Sequence, residues 1–218
     1  MGHKVNIAVI LSGCGNKDGA EIHESVMTLW AIHKHGADFQ CFAPDIPQHH
    51  VLNFISGREM AEERNVMVEA ARIARGNIKD LAEYNADDFA ALIIPGGLGV
   101  AKNLSTFAFD GPHCHVNKDL ERAVRETAAQ GKPIGALCIA PAIIARILGE
   151  VEVTIGSDAA TEAAIIQMGA KHAKTTHGEI VIDREKKVVT TPCYMLEARV
   201  DQIGAGAENL VKAVLQMV

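Results

Sequence analysis

The spacing of apolar residues along this chain changes several times, and each change marks an element. Residues 5–11 (VNIAVIL) form a short apolar run closed by Ser12-Gly13-Cys14-Gly15, which predicts a buried strand ending in a turn. From residue 21 to 34 the spacing becomes helical, with Ile22, Val26, Leu29, Trp30 and His33 on one stripe and Gly36 placed to cap the end. Residues 38–43 predict a second strand, stopped by Pro44. Residues 47–88 are the least regular part. A helix over 66–74, ended by Gly76, is their clearest element, and the segment reads as an insertion within a single domain spanning 1–218. Beyond it, 90–95 predicts a strand ending in Gly96-Gly97, 117–130 a polar-faced helix capped by Gly131, and 133–137 a strand that stops at Cys138. Residues 141–148 then predict a helix, 152–155 a short strand, 159–168 a helix, 179–183 with 187–191 a hairpin, and 205–217 a closing helix. Strand and helix alternate, so the expected fold is α/β: a doubly wound, mostly parallel sheet sandwiched by helices, with a late antiparallel hairpin.

Composition narrows this picture. Hydrophobic residues make up 48 % of the 218 but aromatics only 4 %, so the core is aliphatic, as suits a parallel sheet covered on both faces. The formal charge is −6 with no basic run, which argues against nucleic acid as a partner because phosphate binding needs clustered Lys and Arg. No apolar stretch approaches the roughly 18 residues of a membrane-spanning helix. Met1-Gly2-His3-Lys4 leads straight into the first strand without a secretory or transit pattern. The five cysteines are odd in number and form no C-x-x-C, so neither a disulfide framework nor a zinc ribbon is indicated. These features together lead to the expectation of a cytoplasmic protein.

Open α/β sheets bind ligands outside the carboxyl ends of their strands. That rule gathers Ser12-Gly13-Cys14, Gly96-Gly97, Cys138 and Pro192-Cys193-Tyr194 on one rim. Cys138 follows its strand directly, and Pro141 opens a helix three residues later. A side chain at so tight a turn projects into the cleft, and the helix N-terminus favours its thiolate. Gly96 and Gly97 allow backbone N–H groups to face a developing oxyanion. Glu21 opens the first helix at the same rim, where burial would raise its pKa and suit it to proton transfer. Cys14 is expected to line the pocket without acting as nucleophile. The histidine pairs 33/35, 49/50 and 113/115 lack a third ligand at motif spacing, so no metal is expected.

Gly19-Ala20-Glu21, Ile94-Pro95-Gly96-Gly97 and Ala136-Leu137-Cys138-Ile139-Ala140-Pro141 resemble, in order, the three motifs of the PfpI superfamily. The resemblance is nearest to the ElbB-type glyoxalases, also called isoprenoid or enhancing-lycopene biosynthesis proteins. It rests further on residues 10–15, 18–24, 41–45, 97–104 and 189–192, and covers nearly the whole chain. It implies a flavodoxin-like, class I glutamine amidotransferase-like fold and a nucleophilic Cys138 hydrogen-bonded by Glu21. It also implies oxyanion donors on the backbone of Gly97 and Ile139, a small dicarbonyl substrate, no cofactor and a homodimer. The activity implied is conversion of glyoxal to glycolate through a cysteine hemithioacetal. Many members carry His after the elbow cysteine; Ile139 stands there instead, so a Cys-His protease dyad is not supported. Two other readings compete. His177-Gly178-Glu179 mimics the His-x-Glu of class I amidotransferases and would pair His177 with Cys138. A redox or stress-response role would oxidise Cys138 beside Cys14 without turnover.

Overall fold

The structure, a computed structural model, describes residues 4–218. Met1-Gly2-His3, read above as leading directly into the first strand, lie outside the described residues. In chain order the elements are β1 (Asn6–Ile10), α1 (Ile22–Lys34), β2 (Asp38–Ala43), α2 (Val66–Ile73), β3 (Ile78–Asp80) and β4 (Ala91–Ile94). Then come α3 (Leu98–Lys102), α4 (Phe107–Asp110), α5 (Lys118–Ala129), β5 (Ile134–Leu137), α6 (Ala140–Leu148) and β6 (Glu152–Val153). The chain ends with α7 (Ala159–Gln167), β7 (Lys171–His172), β8 (Val181–Asp183), β9 (Val188–Thr191) and α8 (Val200–Leu215).

Seven strands make one sheet in the order β3-β2-β1-β4-β5-β9-β8. Every pairing in it is parallel except that of β8 with β9. The order runs outward from β1 in one direction through β2 and in the other through β4. Right-handed crossovers therefore place the connecting helices on opposite faces. The strands β4, β5 and β9 are buried at every position, which is why they read as unbroken apolar runs rather than alternating ones. This is the expected doubly wound α/β fold, with β8 and β9 forming the expected hairpin. β6 and β7 form a separate two-stranded sheet.

Residues 47–88 do more than interrupt the sheet. α2 leads into β3, which extends the sheet edge by pairing with β2. Only the stretch before α2 is a loop excursion, tied down by the isolated bridges Pro47 to Asn65 and Leu52 to Glu59. The short helices α3 and α4 have five and four residues, too few to show a helical period in the sequence. α8 starts five residues before the helix expected from position 205, because Gly204 and Gly206 interrupt its apolar pattern.

One departure bears on function. Most of the stripe that identifies α1 as a helix faces outward: Ile22, Val26, Trp30 and His33 are exposed, and Leu29 alone turns inward. The inward face carries Glu24, Ser25, Thr28, Leu29 and Ile32. A face containing a glutamate, a serine and a threonine is turned towards the sheet, and the site is built on it.

Candidate active site

The carboxyl ends of β4, β5 and β9 and the N-terminus of α1 come together beside the point where the winding reverses, between β1 and β4. At the end of β5 the chain enters Cys138 with φ of 60°. A left-handed conformation costs a non-glycine residue about 1–2 kcal/mol, so the surroundings must hold it. The Cys138 N–H donates to the Thr191 carbonyl at 3.0 Å, and α6 begins two residues later with Pro141 in its first turn. The sharp turn aims the sulfur at two backbone N–H groups, those of Gly97 and Ile139.

Facing the sulfur is Glu24, whose side chain is wholly buried. Its Oε2 accepts the Gly96 N–H at 2.9 Å and its Oε1 accepts the Tyr194 N–H at 3.2 Å. The Cys138 thiol donates to the same carboxyl. Burial, reinforced by the charge of Glu21, pushes the Glu24 pKa up to about 8. Burial and then the Glu24 charge push the thiol up as well, while the Gly97 and Ile139 N–H groups pull the other way. The sequence suggested a thiol lowered by the helix N-terminus; the N–H groups are present, but desolvation outweighs them. The result is a coupled buried pair that resists losing its protons near neutrality.

The carboxyl expected at the sulfur was that of Glu21. In the structure Glu21 is the N-cap of α1: its side chain accepts the Glu24 N–H at 2.7 Å, and its own N–H donates to the Gly96 carbonyl at 2.9 Å. It stands beside the reactive pair, and Glu24, three residues further on, makes the contact. A cap residue precedes the helix and turns its carboxylate back onto the first free N–H groups. A residue in the first turn of the helix can instead face the sheet.

Gly96 and Gly97 are required where they stand. A Cβ on Gly96 would lie 2.3 Å from the Cys138 Cβ and 2.6 Å from Glu24 Oε2. Gly97 has φ of 97°, and a Cβ there would lie 2.3 Å from the Glu21 nitrogen. Cys138, Gly96, Gly97 and Ile139 are thus brought together. Cys14 is not part of this group. Its thiol is pushed up by burial, and the charges acting on it are those of Glu69, Arg72 and Asp18, on the side of residues 47–88. The loop closed by Gly15 N–H to Ala20 O and Gly19 N–H to Gly15 O directs it there. His177 is exposed, and its Nε2 bonds to the Glu197 carbonyl at 2.8 Å.

The sequence reading gave no role to three residues of the site, of which Tyr194 alone had been placed on the rim. Glu24 lay within the motif-bearing stretch 18–24, but the helical period pointed to the opposite face of α1. His23 Nδ1 and the Tyr194 hydroxyl are hydrogen-bonded at 2.8 Å, across 171 residues of chain, a distance no local pattern reports. These two residues, with Asn16, Glu21, Leu196 and Glu197, border a cavity of about 600 Å³. Burial, with the charges of Glu21 and Glu24 behind it, raises the Tyr194 phenol pKa, so it remains a donor.

No family model matches the chain, but individual proteins do. The human glutamine amidotransferase-like class 1 domain-containing protein 3, mitochondrial, is 47 % identical over 97 % of this chain and 82 % of its own length. The zebrafish ES1 protein, mitochondrial, is 37 % identical over 97 % of this chain and 86 % of its own. Among solved structures, an isoprenoid biosynthesis protein with an amidotransferase-like domain from Ehrlichia chaffeensis superposes with a TM-score of 0.92 at 36 % identity, covering 98 % of this chain and 99 % of its own. Glyoxalase III from Candida albicans matches with a TM-score of 0.61 at 14 % identity, over 98 % of this chain and 97 % of its own; at that distance the likeness is one of fold. The expectation of a cytoplasmic protein is corrected, since the curated relatives are named mitochondrial. The whole-chain comparisons converge on one family: this chain belongs to the ES1 and glutamine amidotransferase-like class 1 domain-containing proteins.

Proposed function

We propose that the protein is a cofactor-independent glyoxalase that converts glyoxal to glycolate. The observation that carries this reading is the buried Cys138–Glu24 pair beneath the N–H groups of Gly97 and Ile139. The Cys138 sulfur attacks one aldehyde carbon. A C–S bond forms, and the carbonyl electron pair moves onto oxygen, where the two N–H groups stabilise it. The thiol proton passes to the ionised Glu24 carboxylate, and protonation of the oxygen gives the hemithioacetal. Glu24 then transfers a proton from the sulfur-bearing carbon to its neighbour through an enediol, yielding a glycolyl thioester. Water cleaves the thioester, releasing glycolate and restoring the thiol.

A buried carboxyl with a pKa near neutrality is suited to both directions of proton transfer. The strained backbone at Cys138 keeps the sulfur aimed at the incoming carbon. The amidotransferase-like alternative would need His177 at the sulfur, whereas that ring is occupied by the Glu197 carbonyl. The deciding assay follows glycolate from glyoxal, without glutathione, for the wild type, Cys138→Ser and His177→Ala. Turnover is expected in the wild type and His177→Ala and absent in Cys138→Ser. Turnover retained by Cys138→Ser, or abolished by His177→Ala, would overturn the reading.

A further inference from the structure

The cavity beside the reactive pair has an unusual balance of charge. Its polar border consists of Asn16, Glu21, His23, Tyr194 and Glu197, and none of the lining residues is Lys or Arg. The next basic residues along the chain are Lys17, whose ammonium lies over the Phe54 ring, and Arg199, which is bound to Asp201. Two walls of the cavity also hold the reactive carboxyl: Glu21 accepts the Glu24 N–H, and Tyr194 donates its own N–H to Glu24 Oε1. A ligand reaching Cys138 from this side therefore passes two carboxylates with no fixed cation to balance them. The polar contacts on offer are a phenol and an imidazole hydrogen-bonded to each other. With the phenol donating to Nδ1, the imidazole Nε2–H is free to donate to an uncharged carbonyl oxygen.

We propose that this mouth selects substrates by charge, with Glu21 and Glu197 as the specificity-determining residues. It admits uncharged and cationic α-dicarbonyl compounds and turns away those bearing a carboxylate or a phosphate. This deepens the glyoxalase reading and rests on Cys138 as the nucleophile. Sites that recognise anionic substrates use Arg or Lys forks or free helix N-termini. Here the N-terminus of α1 is already capped by Glu21, which supplies a charge of the wrong sign for an anion, and the Ile139 N–H at the start of α6 is taken by the Cys138 sulfur. In a partly desolvated mouth, two carboxylates within several ångströms of a ligand charge alter its approach by at least about tenfold.

The test reads alkylation of Cys138 and not turnover, so it stands whether or not glyoxal is the substrate. Rates at the Cys138 peptide are measured by mass spectrometry with iodoacetamide, which is uncharged, and iodoacetate, which is anionic. The ratio of the two rates is divided by the same ratio for N-acetylcysteine amide, an uncharged free thiol. The expected normalised preference for iodoacetamide is about tenfold or more in the wild type. It should fall by at least about threefold in Glu197→Gln, an exposed position where folding is not at stake. It should approach unity in the Glu21→Gln/Glu197→Gln double variant, since glutamine keeps the oxygen that caps α1. A wild-type ratio near unity, or one unchanged by both sets of substitutions, would overturn charge selection. Loss of glyoxal turnover with the alkylation preference intact would instead count against the glyoxalase reading alone.

Discussion

Glu24 holds its place through three hydrogen bonds, two accepted from the Gly96 and Tyr194 N–H groups and one from the Cys138 thiol. Glu24→Gln keeps the shape but puts an NH2 where only acceptors fit, and it cannot take a proton. Glyoxal turnover in this variant is expected to fall by about 100-fold or more, the usual loss for a general acid/base. Glu21→Gln retains the cap and is expected to cost less than about tenfold; steady-state glycolate assays on the two proteins rank them directly. The reverse ranking would return the proton shuttle to Glu21. Because burial pushes Glu24 up to about 8 and the proposed reaction uses it first as a base, kcat/KM should rise with pH through that value. A rate that declines between pH 7 and 8.5 would contradict this assignment. Gly96→Ala is a steric test of the same site: the added methyl meets the Cys138 Cβ at 2.3 Å, so either turnover or folding is lost.

At the scale of elements, the caps show which parts of the chain bear on stability without touching chemistry. Asn117 precedes α5, and its Oδ1 accepts the N–H groups of Asp119 at 2.9 Å and Leu120 at 3.1 Å. Asn117→Ala removes both contacts and should destabilise the protein by about 1 kcal/mol. For a chain of this size that lowers Tm by roughly 2–4 °C. Differential scanning calorimetry measures the shift, and kcat for glyoxal should stay within about twofold, since α5 contributes nothing to the pocket. α1 differs because its cap and its inward face both serve the site. Its first turn binds the Gly96 carbonyl through the Glu21 N–H and presents Glu24 to the sulfur. An outward stripe of Ile22, Val26 and Trp30 leaves room for this polar inner face, packed where α1 meets α8 and the strand ends.

For the whole molecule, the buried carboxyl couples stability to pH. Glu24 releases its proton near 4.5 when unfolded and at about 8 when folded. Between those values the native state binds more protons than the unfolded one, so its stability decreases as pH rises. The contribution is fully present below pH 4.5 and is lost as pH passes about 8. Its size is on the order of a few kcal/mol, given 1.36 kcal/mol per pKa unit. Urea unfolding at pH 5.5 and pH 8.5 should show the wild type losing stability at the higher pH, with an unchanged m-value. Glu24→Gln should lose markedly less. Equal losses in the two proteins would show that Glu24 does not control this window.

By itself the sequence determined the layers and the place of Cys138 at the end of its strand. Short apolar runs at residues 5–11, 90–95 and 133–137, bounded by turn residues, read as buried strands, and their alternation with helical segments leaves few topologies. Cys138 was legible because a strand, a single residue and a helix N-terminus follow one another without a linker, and Gly96-Gly97 because close approach to that residue excludes a Cβ. What only the tertiary structure decided is which carboxyl meets the sulfur and which residues border the cavity beside it. Periodicity in α1 reports where apolar residues lie, and most of that stripe faces solvent. Whether Glu21 or Glu24 points at Cys138 depends on the rotation of α1 against the sheet, fixed by Gly96 and Tyr194, which lie 72 and 170 residues away from Glu24. Cys14 shared the strand-end position but was carried off by its loop towards residues 47–88. The pKa order followed the same logic: the sequence reveals a helix terminus that lowers a thiol, while the depth of burial that raises it exists only once the chain has packed.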